Sequence, residues 1–158
     1  MQIRDANETD LAWIVDVLQK HWGSPTIVTR GKSYDARTLP ALLALVNGER
    51  AGLLTYHTEG TECEIVSLNS LVEGKGIGLA LLDQLKAIAR DAHCLRVWLI
   101  ITNDNLHALS FYQKRGFTLA ALYPNALEQT RKIKPQLPLI GKDGIPLRDE
   151  IELEFRIK

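Results

Sequence analysis

Apolar residues recur at steps of three or four through Ile77, Leu81, Leu85, Ile88 and Ala92, so the spacing predicts an amphipathic helix running to about residue 92. A β-type run at residues 62–68 precedes it, and the loop between them holds Gly74, Gly76 and Gly78. Upstream, residues 2–5 read as a short strand. Thr9 reads as the cap of a helix to about His21, with Leu11, Ile14, Val15 and Leu18 facing inward. Residues 23–37, polar and punctuated by Gly23, Pro25 and Gly31, read as a loop with room for one short helical turn. Residues 42–46 and 51–56 flank Asn47-Gly48-Glu49-Arg50, and the Asn-Gly pair predicts a hairpin.

Downstream, residues 95–102 are apolar on both sides, as a mid-sheet strand requires. A helix through Leu106, Leu109, Phe111 and Tyr112 to Arg115 follows, closed by Gly116 as its C′ residue. A strand at 117–122 and a basic-tailed helix at 125–134, stopped by Pro135, come next. Residues 135–149 carry Pro138, Gly141, Gly144 and Pro146 and read as loop. Residues 151–157 alternate apolar and charged, predicting a last strand with one wet face. The order β α β β β α β α β (α) β predicts an α/β (α+β) fold, one mixed sheet with helices on both faces.

A chain of 158 residues fits a single domain, 1–158, able to bury a core of its own. Its 19 basic residues balance 19 acidic ones, so no overall field favours nucleic acid or an anionic membrane. No apolar run reaches the ~20 residues of a bilayer-spanning helix, and the opening Met-Gln-Ile-Arg-Asp-Ala does not have the pattern of a signal peptide. Cys63 and Cys94 lie in apolar contexts without metal-ligand spacing. They read as buried free thiols suited to a reducing cytoplasm, and no metal site is expected.

The glycine loop is where chemistry first becomes visible. A strand, a glycine-rich turn and a helix start form an arrangement that binds phosphate. The backbone can approach an anion closely there, and the unpaired N–H groups of the first helical turn point at it. Lys75 adds a mobile cation. The loop is not a P-loop, because no Gly-Lys-Ser/Thr closes it, and Leu79 and Leu81 stand where a dinucleotide fingerprint needs its last glycine. A strand-to-helix turn whose glycines serve only tight packing would look similar.

Glu73-Gly74-Lys75-Gly76-Ile77-Gly78, followed by Asn105, Ala108, Phe111-Tyr112 and Gly116-Phe117 at their spacing, resembles the two core motifs of the GCN5-related N-acetyltransferases (GNAT). The resemblance covers roughly residues 1–123, with the core motifs in 62–123. Residues 124–158 stand outside the general pattern. It implies a mostly antiparallel central sheet of about seven strands, splayed between the two central ones. It also implies acetyl-CoA as co-substrate and direct attack of a neutral amine on the thioester. By that analogy Leu68, Asn69, Gly74, Lys75, Gly76, Ile77, Gly78, Leu79, Asn105, Ala108 and Tyr112 bind the cofactor, the Leu68 N–H facing the thioester oxygen. Tyr112 is then the acid that protonates the departing thiolate and Glu64 the base. Members usually carry Gln or Arg where this chain has Glu73, whose carboxylate is expected to turn away from the diphosphate.

Each of these residues also has a plain reading. Tyr112 could simply pack on the sheet, Asn105 could be a helix cap, and Glu62 and Glu64 could be exposed strand charges. His57 and His107 read as surface residues, and Trp13, Trp22 and Trp98 as core or partly buried surface. Arg131, Lys132 and Lys134 read as a solvated helix end. The expected partner is a small-molecule or peptidic amine, with no nucleic acid and no membrane, and a homodimer is possible. A non-catalytic acyl-CoA-binding or sensing module on the same fold is the alternative, and a plain interaction scaffold a third reading.

Overall fold

The computed structural model describes residues 1–158. Its chain order is strand β1 (Gln2–Asp5), helix α1 (Leu11–Trp22), and strands β2 (Thr26–Thr29), β3 (Lys32–Asp35), β4 (Ala41–Val46), β5 (Glu49–Glu59) and β6 (Glu62–Ser70). Helix α2 (Ile77–Asp91), strand β7 (Arg96–Thr102), helix α3 (Leu106–Lys114), strand β8 (Thr118–Tyr123), helix α4 (Leu127–Ile133) and strand β9 (Glu150–Arg156) follow. Seven strands form one sheet in the order β1-β4-β5-β6-β7-β9-β8, and β2 and β3 make a separate two-stranded hairpin. By contacts the chain falls into two compact units: residues 1–27, 34–97 and 157–158, and residues 28–33 and 98–156. No helix is long and apolar enough to cross a membrane.

In the first unit β1, β4, β5 and β6 pair antiparallel in sequence. Successive residues of β5 face opposite sides. Leu53 joins a core with Ile14, Val17, Leu18, Ile27, Tyr34, Leu43 and Val66 beneath α1. Gly52 lies under α2, where an added Cβ would fall 2.4 Å from Ile77 Cγ2. The two helices therefore cover opposite faces, as the pattern predicted. The Asn47-Gly48 turn is also as predicted, with φ of 52° and 78°.

Four local expectations need correction. The first helix is capped by Asn7, not Thr9. The Asn7 side chain accepts from Thr9 N–H, and Asp10 reaches back to Asn7 N–H at 2.8 Å, a capping box on the 3-10 turn Glu8–Asp10 that leads into α1. Its buried stripe is Ile14, Val17 and Leu18, whereas Leu11 is 42% exposed. On α2 the buried set is Ile77, Leu81, Leu82, Leu85 and Ala89; Ile88 is half-buried and Ala92 is the exposed C-cap residue. Residues 23–37 are not a loop: β2 and β3 lie there, turning at Arg30 and Gly31 with φ of 51° and 72°.

In the second unit β8 and β9 pair antiparallel, and Gly116 ends the turn after α3 at φ 92°. Burial along β9 does not follow strict alternation. Glu150 and Leu153 are buried and the residues between them half-buried, so the single wet face predicted there is absent. Arg30 supplies part of the reason, since its N–H donates to Glu150 Oε2 at 3.3 Å and its guanidinium lies 3.4 Å from the centre of the Tyr123 ring.

Candidate functional site

The strand β6, the loop after it and the start of α2 lie in the first unit. Gly76 occupies the N-cap of α2 at φ 69°, and no side chain caps the helix. Ala80 N–H, bonding Gly76 O at 3.0 Å, is the first to close a helical turn. The N–H groups of Ile77, Gly78 and Leu79 therefore have no acceptor within the helix. Gly74 is also left-handed, at φ 76°, and nothing stands within 4 Å of the position a Cβ would take at either glycine. Lys75 and Glu73 are exposed, as are Leu71, Val72 and Leu79. An open, uncapped, glycine-built helix start with an exposed lysine beside it has the features that suit an anion.

Along β6 the pairing with β5 shifts by one residue. Thr55 opposes Ser67 but Tyr56 opposes Ile65, so Val66 is an extra residue, a β-bulge. Leu53 marks the α1 face, and its partner is Asn69; on the far side of the bulge His57 pairs with Glu64. The bulge thus brings Asn69, Ser67 and Glu64 onto one face despite their odd and even numbers. Each is met by a partner: Trp22 Nε1 donates to Asn69 Oδ1 at 3.1 Å, Thr55 and Ser67 share a 2.6 Å hydroxyl bond, and Tyr34 Oη donates to Glu64 Oε1 at 2.6 Å.

Glu64 is 2% exposed. The reading of both acids as exposed strand charges is therefore overturned for Glu64. Glu62 is half-buried, and Arg96 Nε donates to it at 2.7 Å. Burial, and then the hydrogen bond to Glu64, push the Tyr34 phenol well above its ordinary value. His57 stacks tilted on Tyr34, 5.3 Å between ring centroids, and its Nε2 lies 3.8 Å from Glu59. Leu68, opposite Leu54, is half-buried.

The second unit holds the other motif. Asn105 is the N-cap of α3, its Oδ1 accepting from Ala108 N–H at 3.1 Å. What Asn105 keeps for a ligand is its Nδ2 amide; Ala108 can offer its methyl group. Tyr112 is 6% exposed, set edge-on to Phe111 at 5.1 Å and Phe117 at 5.3 Å. Burial alone pushes its phenol upward, with no hydrogen bond or charge among the causes. The buried thiols are free, as expected, and burial pushes Cys63 up to about 11. No group of three or more His, Cys, Asp or Glu side chains is placed to hold a metal.

Sequence reasoning missed Tyr34, Trp22 and the Thr55–Ser67 pair. Tyr34 sits in a polar stretch without periodicity, and a bulge of Ile-Val-Ser composition carries no glycine or proline to announce it. Trp22 had a signal, an aromatic residue at a helix C-terminus just before Gly23.

Residues 11–117 match the model of the acetyltransferase (GNAT) family. An uncharacterized protein of Bacillus subtilis (strain 168), YdhI, is 44% identical over 146 residues, 92% of this chain and 91% of its own. A Bacillus subtilis acetyltransferase solved in complex with CoA superposes with a TM-score of 0.72 at 20% identity, over 99% of each chain. A GNAT family acetyltransferase from Elizabethkingia anophelis with acetyl-CoA bound gives 0.70 at 18% identity, over 99% of this chain and 97% of that one. Those two structures speak to the fold.

Proposed function

The chain belongs to the acetyltransferase (GNAT) family, and from that premise we propose that it is an acetyl-CoA-dependent N-acetyltransferase acting on a primary amine of a small molecule or peptide. The observation that carries this reading is the start of α2, where three N–H groups without helical acceptors and Lys75 surround an open glycine turn. Those residues fit the diphosphate of CoA. The cofactor supplies an activated acetyl thioester, and everything else is asked of the chain.

Gly74, Lys75, Gly76, Ile77, Gly78 and Leu79 hold the phosphates. The Nδ2 group of Asn105 is assigned to the pantetheine amides. The Leu68 N–H is assigned to the thioester oxygen, where a backbone donor to a developing oxyanion contributes about 3–4 kcal/mol. An acceptor ammonium must first lose a proton, which Glu64 takes and passes to solvent. The neutral amine then attacks the acetyl carbon, so that a C–N bond forms as the C–S bond breaks. The sulfur takes a proton from Tyr112, and the second proton released by nitrogen restores the phenol. With a thiol near 8.5 and a phenol near 10 that transfer is uphill by about 2 kcal/mol. Burial of Tyr112 widens the gap, which favours proton transfer only as the C–S bond breaks.

The test is release of CoA thiol from acetyl-CoA by purified protein across a panel of primary amines and peptide N-termini. Release with at least one acceptor is the expected result. Acetyl-CoA binding by calorimetry without any turnover would favour the sensing module instead, and absence of binding would favour a scaffold.

A further inference from the structure

We propose that Tyr34 is a positioning residue for Glu64: its hydroxyl bonds one carboxylate oxygen and holds the group, in its charged form, in place for the acceptor's proton. This rests on the acetyltransferase reading above, which assigns Glu64 but gives Tyr34 no part.

The geometry is specific. The Oη–Oε1 bond of 2.6 Å is buried and joins residues 30 apart in sequence. Tyr34 stands on β3, in the hairpin inserted between α1 and β4, and its ring is part of the core beneath α1. The ring is held by that packing and by His57. A carboxylate in so enclosed a place is costly unless hydrogen-bonded, because burial disfavours its charged form. A donor that itself stays protonated offsets this, and the Tyr34 phenol, pushed upward, is such a donor. Losing that donor would shift the buried carboxyl toward its protonated form, in which it accepts no proton.

Other charged groups lie around Glu64 and enter the test. His57 and Glu59 come from β5, and Glu62 with its Arg96 partner from β6 and β7. The Cys63 thiol lies next to it on β6, and the Glu64 charge contributes to raising it.

Tyr34→Phe removes the hydroxyl and keeps the ring. Because the lost hydrogen bond favoured the charged carboxylate, the acidic limb of kcat/KM should move to higher pH by about one unit. The variant should therefore run about tenfold below wild type on that limb and converge with it at alkaline pH, with acetyl-CoA affinity unchanged. In a Glu64→Gln background the same change should have no further effect. His57→Gln is the control for the neighbouring imidazole, and the limb assigned to Glu64 should survive it.

A second readout does not depend on turnover: carboxyl-carbon NMR of Glu64 in the free protein, whose midpoint should rise in Tyr34→Phe while the melting temperature reports that the fold is kept. An unmoved midpoint, or a limb that stays in place while only acceptor KM changes, would overturn the proposal. A midpoint that moves in a protein showing no acetyl transfer would instead sink the reaction assigned to Glu64 and leave the Tyr34–Glu64 coupling standing.

Discussion

Gly52 on β5 faces Ile77, the first residue of α2, so closely that a Cβ added to the glycine would lie 2.4 Å from Ile77 Cγ2 and 3.2 Å from Leu81 Cδ1. A missing side chain in mid-strand lets the glycine-capped helix start settle on the sheet. Gly52→Ala should push Ile77 and its neighbours outward. Overpacking of this kind costs about 1–3 kcal/mol, readable as a lower urea midpoint. Because the displaced turn carries the N–H groups assigned to the diphosphate, acetyl-CoA affinity should fall in parallel. A destabilised protein with unchanged affinity would separate the two roles.

Tyr112→Phe keeps the ring against Phe111 and Phe117 and removes only the hydroxyl. If the hydroxyl protonates the leaving thiolate, kcat should fall by about 10²-fold or more, the range for a positioned acid, while calorimetry finds acetyl-CoA affinity intact. Because burial raises the phenol, Tyr112 should contribute no alkaline limb to the rate profile below about pH 10. Unchanged turnover would return Tyr112 to a packing role.

Asn105 can be split into its two functions. Asn105→Ala removes the cap on Ala108 N–H and should cost about 1 kcal/mol of stability. Asn105→Asp keeps a capping oxygen but loses the Nδ2 donor. Thermal melts of the Asp variant should match wild type, and its acetyl-CoA affinity should drop. If both variants bind normally, the residue is a cap and nothing more.

Asp10 is a stability device away from the chemistry. It is buried, and its carboxylate accepts from Arg4 Nη1 at 2.7 Å, from Arg50 Nε at 2.9 Å and from Asn7 N–H at 2.8 Å. The bond from Arg4, against the opposing effect of burial, holds its carboxyl far below the usual range. Its stabilisation is therefore full above the unfolded carboxyl value near 3.9 and lost as pH falls further through the folded one. Asp10→Asn should lower stability by about 2 kcal/mol at pH 7. The gap to wild type should shrink as urea titrations move below pH 4, and a gap constant down to pH 2 would contradict the assignment.

How much of this could be read from the chain varied with how local the cause was. The Ile77, Leu81 and Leu85 part of the α2 stripe, the glycine turn and the Asn47-Gly48 hairpin were legible, because periodicity and left-handed residues write themselves into sequence. The β2–β3 hairpin was not. Its turn uses Arg30 at φ 51°, a residue no turn rule selects, and Arg30 is tied down by Glu150 and Tyr123 more than 90 residues away in sequence. Tyr34 was lost with that hairpin, and so the partner of Glu64 was lost too. The α1 cap slipped by two residues because a 3-10 turn stands between Asn7 and the helix. Burial of Glu64 ran against the ordinary expectation for a strand carboxylate, which is where function tends to depart from local rules.

The extra residue in β6 leaves this protein with an uneven tolerance for length changes. Removing Val66 would leave a regular ladder that keeps Glu64 on the face of Ser67 and Asn69, whereas drawing Val66 into regular pairing with Ser67 and Asn69 held would send Glu64 to the side of the sheet covered by α2, away from Tyr34. Flattening the bulge would dismantle the polar row without touching any member of it. The segment between Leu137 and Lys142, though mostly exposed, is framed in its own way, since Gly141 packs on Asp104 and Lys142 N–H donates to Asp104 Oδ2 at 2.9 Å. Length changes within residues 64–69 of related chains should therefore be confined to the bulge residue.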